Sequence, residues 1–236
     1  MRRLLVNFRV DPELTQRLLP SPFQPKKHRG HAIAGICLIR LEHIRPVAFP
    51  RFLGFSSENA AHRIAVEWSD ASGDMREGVF ISRRDSGSRL NAWAGGRLFP
   101  GEHHYARFAV IDQGHSIDLS MEADDRQVSI RVVGRTSDAF PSDSCFDSVS
   151  EASAFFEGGC LGYSVTRDKS RFDGMVLRTQ KWHVQALDVT TVQSSYFHDV
   201  GRFPSGALEF DHALVMRDIA HEWHQAEDLY SIAPCA

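Results

Sequence analysis

Alternation of apolar and polar side chains with a period of two runs through most of this chain, and it limits the fold to one built mainly from strands. From His62 to Trp68 the residues Ile64, Val66 and Trp68 share one face while Arg63 and Glu67 take the other, the pattern of a half-buried strand. In His31 to Arg45 both alternating sets are apolar over Ala32 to Leu38, which suits a strand covered on both faces. Ser69 to Asp74 is turn chemistry and Arg76 to Ser82 returns as a strand, so a hairpin is predicted there. A second hairpin is predicted over Ser116 to Val133 with Asp124, Asp125 and Arg126 at its tip. Further extended runs are predicted at Tyr105 to Ile111, Gly162 to Thr166 and Met175 to Val192.

Helical signals are fewer. Asp11 as N-cap, Pro12 at the first helical position and Pro20 as the stop predict a helix over Asp11 to Leu19. Others are expected at Ser88 to Gly95, at Phe146 to Phe156 capped by Asp143 or Ser144, and over the tail from Met216 to Tyr230. Strand and helix do not alternate regularly, which excludes a doubly wound parallel sheet. The expected fold is therefore a single β-dominated α+β domain over residues 1–236, curved or closed, with short helices at its mouth and sides and room for a pocket.

Composition narrows the chemistry. The chain has 236 residues, 42% of them hydrophobic, and a net charge of -3. Near-neutral charge with acidic residues interleaved among the arginines argues against a nucleic-acid partner. No run approaches the ~18 apolar residues of a membrane span, and the apolar stretch after Met1 is too short for a signal peptide. Cys37, Cys145, Cys160 and Cys235 form no CxxC pair and read as reduced thiols of a cytoplasmic protein, not as a zinc site or a disulfide frame. No metal and no other cofactor is expected. Of the 27 basic residues only four are lysines, namely Lys26, Lys27, Lys169 and Lys181.

Most motif-like stretches have plain readings. In His221-Glu-Trp-His224 the histidines stand at i and i+3, whereas a zincin needs i and i+4, so surface histidines on a polar helix are the stronger reading. Gly158, Gly159 and Gly162 follow a predicted helix and open none, which suits a helix end more than a dinucleotide loop. No GxSxG or Walker sequence occurs.

One patch stands apart. Arg97, Glu102, His103 and His104, together with Glu58 upstream, offer carboxylates, imidazoles and a guanidinium at strand or helix ends. Histidine titrates near neutrality, so His103 and His104 are candidate acid/base groups with Glu58, and Arg97 and Glu102 are candidate substrate-binding groups. Adjacent residues in a strand point to opposite faces, so at most one of the two histidines would face a pocket.

The order of several blocks carries a resemblance. Asp11-Pro-Glu-Leu with Leu18-Leu19-Pro20, the strand from Gly30 through Leu38, the stretch Phe55-Ser-Ser-Glu58-Asn59 through Val66, and Arg97-Leu-Phe-Pro through Tyr105-Ala106 resemble the YqjF-like uncharacterised conserved family over about residues 4 to 200. That family is similar to acetoacetate decarboxylase, which implies an acetoacetate-decarboxylase-like β-barrel and a pocket with a Schiff-base lysine, a neighbouring lysine and a glutamate. Glu58 matches the glutamate. The segment that should carry the lysine pair reads Gly101, Glu102, His103, His104. An imidazole cannot condense with a ketone to an iminium, so Schiff-base decarboxylation is not expected. Lys181, whose strand mate His183 would share its face, is the one lysine left that could point inward, although an edge lysine beside exposed polar residues is the stronger reading.

The resemblance implies a protein that binds a small carboxylate or keto acid. Its rivals are a lyase or hydratase acting on a small keto acid by His/Glu proton transfer, and a non-catalytic structural or interaction module. Exposed sheet edges lead us to expect a homo-oligomer.

Overall fold

The computed structural model describes residues 1–44, 55–96, 100–168, 170–179 and 182–231. In chain order the elements are β1 (Arg2–Val10), α1 (Pro12–Leu18), β2 (Gln24–Pro25), β3 (Lys27–His28), β4 (His31–Ile44), β5 (Phe55–Ser69), β6 (Met75–Ser86) and α2 (Arg89–Ala94). There follow β7 (His103–Asp112), β8 (Ser116–Ala123), β9 (Ser129–Ser137), α3 (Val149–Glu157), β10 (Leu161–Val165), β11 (Arg171–Thr179), β12 (Gln185–Ser194), β13 (Leu208–Arg217), β14 (His221–Gln225) and β15 (Leu229–Tyr230).

Nine strands close into a barrel in the order β5, β6, β7, β8, β9, β12, β13, β1, β4 and back to β5. The alternation read from the sequence sets its two faces. Leu4, Val6 and Phe8 of β1, Ala34, Ile36 and Leu38 of β4, and Ile117, Leu119 and Met121 of β8 point inward and form the main core. Leu5, Cys37, Ala61, Leu214 and Met216 point outward and are covered by Phe146, Ala152 and Phe156, so α3 and the segment before it make a second layer. Burying each of those phenylalanines contributes about 2 kcal/mol, which is what holds the helix on the barrel.

The barrel forks at β6. Val79 to Ile81 pair in parallel with β10, whereas Arg84 to Ser86 pair in parallel with β7. A register shift between β5 and β6 pairs His62 with Arg83 but Arg63 with Ile81, leaving Ser82 as an extra residue. After this bulge Arg83 and Asp85 turn into the barrel and Arg84 turns outward, toward the gap of the fork.

Local chemistry explains the helices. Asp11 accepts from Leu14 N at 2.7 Å and Ser88 accepts from Asn91 N at 3.3 Å, each as N-cap. The third helix begins later than the sequence suggests, at Ser148, which accepts from Glu151 N at 3.2 Å. Ser144 lies four residues ahead of that cap, where its hydroxyl donates to Asp211 Oδ2 at 2.6 Å and accepts from Phe146 N at 3.1 Å. Two other expectations are corrected. The tail after Met216 is not a helix: β13 continues to Arg217 and β14 pairs antiparallel along β11, so no i, i+3 helical face joins His221 to His224. The run Met175 to Val192 is two strands, β11 in the outer layer and β12 in the barrel wall. Among the described residues no helix is long and apolar enough to cross a membrane.

Candidate functional site

Glu58 lies on β5 and accepts from Arg2 Nη2 at 2.7 Å and from Arg40 Nη1 at 3.1 Å. Arg2 also reaches Asp112 Oδ2 at 3.1 Å. Arg2, Arg40 and Asp112, with Glu42 and Arg217, line an open pocket of about 540 Å3 at one end of the barrel. The two histidines open β7 and take opposite faces, as expected of neighbours in a strand. His104 stands with Nδ1 3.5 Å from Asp125 Oδ2, beside the Arg83–Asp85 pair. His103 faces outward, with Nδ1 3.1 Å from Gly101 O. Because a carbonyl only accepts, Nδ1 carries the proton and Nε2 keeps the lone pair. Burial, and then Arg84, push this imidazole down to about 4, so it is neutral at pH 7. Glu102 is half exposed and pairs with Arg167 at 3.6 Å. Glu58, His103 and His104 thus have separate partners. Arg97 and Lys181 lie outside the described residues.

The inward cluster beside His104 is tied together. Arg83 Nη2 bonds Asp85 Oδ1 at 2.8 Å and Asp125 Oδ2 at 2.9 Å. Tyr196 Oη and Ser82 Oγ are 2.6 Å apart. His62, fully buried against the Tyr196 ring, has no hydrogen-bond partner on either ring nitrogen among the described residues. Burial, with Arg83 and Arg202 nearby, pushes it down to about 3, a neutral ring at any ordinary pH. Burial also lifts the Asp85 carboxyl above its ordinary value.

The second cluster lies on the outer face under α3, and the sequence did not single it out. Arg63 had the look of a solvent-face residue, yet it is 2% exposed, because α3 covers that face and Phe156 lies 4.7 Å from its guanidinium carbon. Arg84, 8% exposed, donates from Nε to Ser164 Oγ at 2.9 Å. Arg3 donates from Nε to Cys37 Sγ at 3.1 Å and lies 5.7 Å from the Trp182 ring. Among the described residues Arg63 Nε and Nη1 and Arg84 Nη2 are buried without a partner. Among the described residues neither guanidinium forms an ion pair, although Asp173 acts on Arg84 from a distance and the Cys37 sulfur acts on both. Burial pushes both down to about 10, which still leaves them cations at pH 7. Buried cations without a counter-charge cost several kcal/mol unless an anion reaches them. The arrangement suits recognition of a carboxylate through forked N–H groups.

Gly101 abuts the same cluster. Its φ is +77°, and a β-carbon there would stand 2.4 Å from Ser164 Cβ and 3.5 Å from Arg84 Nε. Gly101, the first residue of the segment Gly101 to His104, is therefore closed in by Ser164 and Arg84. No group of three or more metal-ligating side chains occurs among the described residues.

The profile of DUF2071, an uncharacterized conserved protein family (COG2071), matches residues 1–210. The chain belongs to the DUF2071 family. Solved structures place this member among acetoacetate decarboxylase-like folds. It is similar to the acetoacetate decarboxylase of Legionella pneumophila, with a TM-score of 0.57 and 8% identity over 96% of this chain and 85% of that one. An acetoacetate decarboxylase-like enzyme from Sphingomonas wittichii RW1 gives a TM-score of 0.53 and 14% identity over 98% and 91%. The enduracididine biosynthesis enzyme MppR, solved with pyruvate, gives 0.52 and 11% over 95% and 87%. At these identities the likeness is one of fold. No curated protein matches the sequence.

Proposed function

We propose that this DUF2071 protein binds a small organic anion of carboxylate or keto-acid type between the barrel wall and α3, without forming an imine with it. The observation that carries this reading is the pair Arg63 and Arg84, two buried guanidiniums with unpartnered N–H groups on the same outer face, where Arg84 stands opposite Ala61 and Ala61 opposite Cys37 across neighbouring strands and Arg3 reaches the Cys37 sulfur. A carboxylate supplies the missing counter-charge and accepts those N–H groups. Support from the fold is that MppR, similar in architecture, has been solved with pyruvate. Schiff-base chemistry is left out of the reading because the segment where the resemblance looks for the lysine pair, Gly101 to His104, holds no primary amine.

A second reading has its own observation. His103 keeps the lone pair on Nε2, with no hydrogen-bond partner for it among the described residues and Arg84 nearby, so a bound keto acid could exchange a proton there, as a lyase or hydratase requires.

The test is calorimetry and thermal unfolding with pyruvate, acetoacetate and succinate, against acetone and acetamide as uncharged controls. The anions are expected to bind and raise the unfolding midpoint, and the neutral molecules are not. Absence of binding by all three anions would sink the reading. Borohydride treatment with pyruvate should add no mass to any of the four lysines, and an adduct at Lys181 would restore covalent chemistry. Turnover of a keto acid that is lost on His103→Gln would favour the second reading.

A further inference from the structure

A chain of hydrogen bonds leads away from Arg63 Nη2, the one nitrogen of its guanidinium with a partner among the described residues. Arg63 Nη2 donates to Asn7 Oδ1 at 2.6 Å. Asn7 Nδ2 lies 3.0 Å from His212 Nε2, and His212 Nδ1 lies 2.5 Å from Asp211 Oδ2. Asp211 also accepts from Ser144 Oγ at 2.6 Å, from Cys145 N at 2.9 Å and from Arg9 Nη1 at 3.3 Å. Arg63, Asn7, His212 and Asp211 are all buried.

Only one placement of protons satisfies every contact. A guanidinium can only donate, so Asn7 must present its oxygen to Arg63. Its amide NH2 then faces His212, whose Nε2 must accept, and the ring proton sits on Nδ1 and goes to Asp211. The bridge from β1 to β5 crosses β4 at Gly35, where a β-carbon would stand 2.3 Å from Val6 O and 3.1 Å from Asn7 Oδ1. The glycine leaves room for the amide.

We infer that Asn7, His212 and Asp211 are positioning residues that hold Arg63 by one nitrogen through a neutral acceptor, so that its remaining N–H groups and its full charge stay available to the anion. This rests on the anion-binding reading above. A carboxylate at position 7 would grip Arg63 equally well but would cancel its charge. Here the negative charge is kept two links away, on Asp211, and the amide passes on orientation without neutralisation.

Asn7→Asp is nearly isosteric and tests the distinction directly. It is expected to weaken binding of pyruvate or succinate tenfold or more in calorimetry, with an unfolding midpoint in anion-free buffer no lower than that of the wild type. His212→Gln, which retains an acceptor for the amide, is expected to stay within about threefold of wild-type affinity, whereas His212→Leu is expected to lose fivefold or more. Nitrogen-15 spectra of the His212 ring should show the Nδ1-protonated tautomer in the wild type and a doubly protonated ring in Asn7→Asp. Unchanged affinity in a folded Asn7→Asp protein would overturn the inference, as would equal losses in the two His212 variants or an Nε2-protonated ring. Should Asn7→Asp not fold, the His212 pair and the wild-type spectrum decide. If the wild type binds none of the anions, the pocket reading fails and takes this role with it, and a ring still protonated on Nδ1 shows that the chain itself was read correctly.

Discussion

Gly101 packs against Ser164 so closely that a β-carbon on the glycine would stand 2.4 Å from the β-carbon of the serine. At a φ of +77°, both the space and the backbone conformation at Gly101 oppose a long side chain at the start of the Gly101 to His104 segment. Gly101→Lys is therefore expected to destabilise by about 2 kcal/mol or more from strain and overpacking. Urea unfolding reads the loss, and borohydride with pyruvate reads the chemistry. A lysine variant as stable as the wild type that also forms an adduct would show that the amine site can still be assembled.

Arg84 and Arg63 carry the functional reading, and burying them should cost stability when no anion is bound. Arg84→Met removes a buried cation with an unpartnered nitrogen and leaves a side chain of similar length. It is expected to raise the unfolding midpoint in anion-free buffer by a few degrees, on the order of 1 kcal/mol. The same variant should lose the stabilisation by pyruvate or succinate. A midpoint several degrees lower would mean that Arg84 serves the fold through Ser164 instead.

The barrel was legible in the sequence because its walls are written in nearest-neighbour alternation. Ile64, Val66 and Trp68 on one face of β5, and the Ser116 to Val133 hairpin, need no distant partner to be recognised. Alternation says which residues share a face but not what covers it, and so Arg63 looked solvated until α3 was seen to lie over it. The bulge at Ser82, which sends Arg84 outward and Asp85 inward, depends on pairing with β5 and leaves no trace in β6 alone. Asn7 and His212 meet from positions 205 residues apart, and no spacing rule connects them. The opposite orientation of His103 and His104 needed only strand geometry and was readable in advance.

His62 makes stability depend on pH. In the unfolded chain it takes up a proton below about 6.5, while in the fold it resists protonation down to about 3. Within that window the unfolded state binds more protons, so stability rises with pH and falls on acidification, by up to ~1.4 kcal/mol per pH unit from this group. His103, held down to about 4, acts in the same direction over the upper part of the window. His62→Phe forfeits no hydrogen bond among the described residues. It is expected to narrow the difference in unfolding free energy between pH 7 and pH 5 by about 1 kcal/mol or more, measured by urea titration. An unchanged difference would mean that Asp85, whose Oδ2 lies 3.9 Å from His62 Nδ1, keeps the ring protonated in the fold.

Glu58 separates a structural from a chemical role at the far end of the barrel. It joins Arg2 and Arg40, and the Arg2 side chain is only 5% exposed. Glu58→Gln removes the charge from both contacts while Asp112 still balances Arg2, so a loss of about 1 to 3 kcal/mol is expected. Its hydrogen-bond partners, Arg2 and Arg40, are not among the groups around Arg63 and Arg84. Affinity for pyruvate or succinate should therefore remain within about twofold of the wild type, once both proteins are measured well below their unfolding midpoints. Loss of binding at unchanged stability would move Glu58 into the ligand site, and the acid–base pairing of Glu58 with a histidine would then have to be taken up again at this end of the barrel.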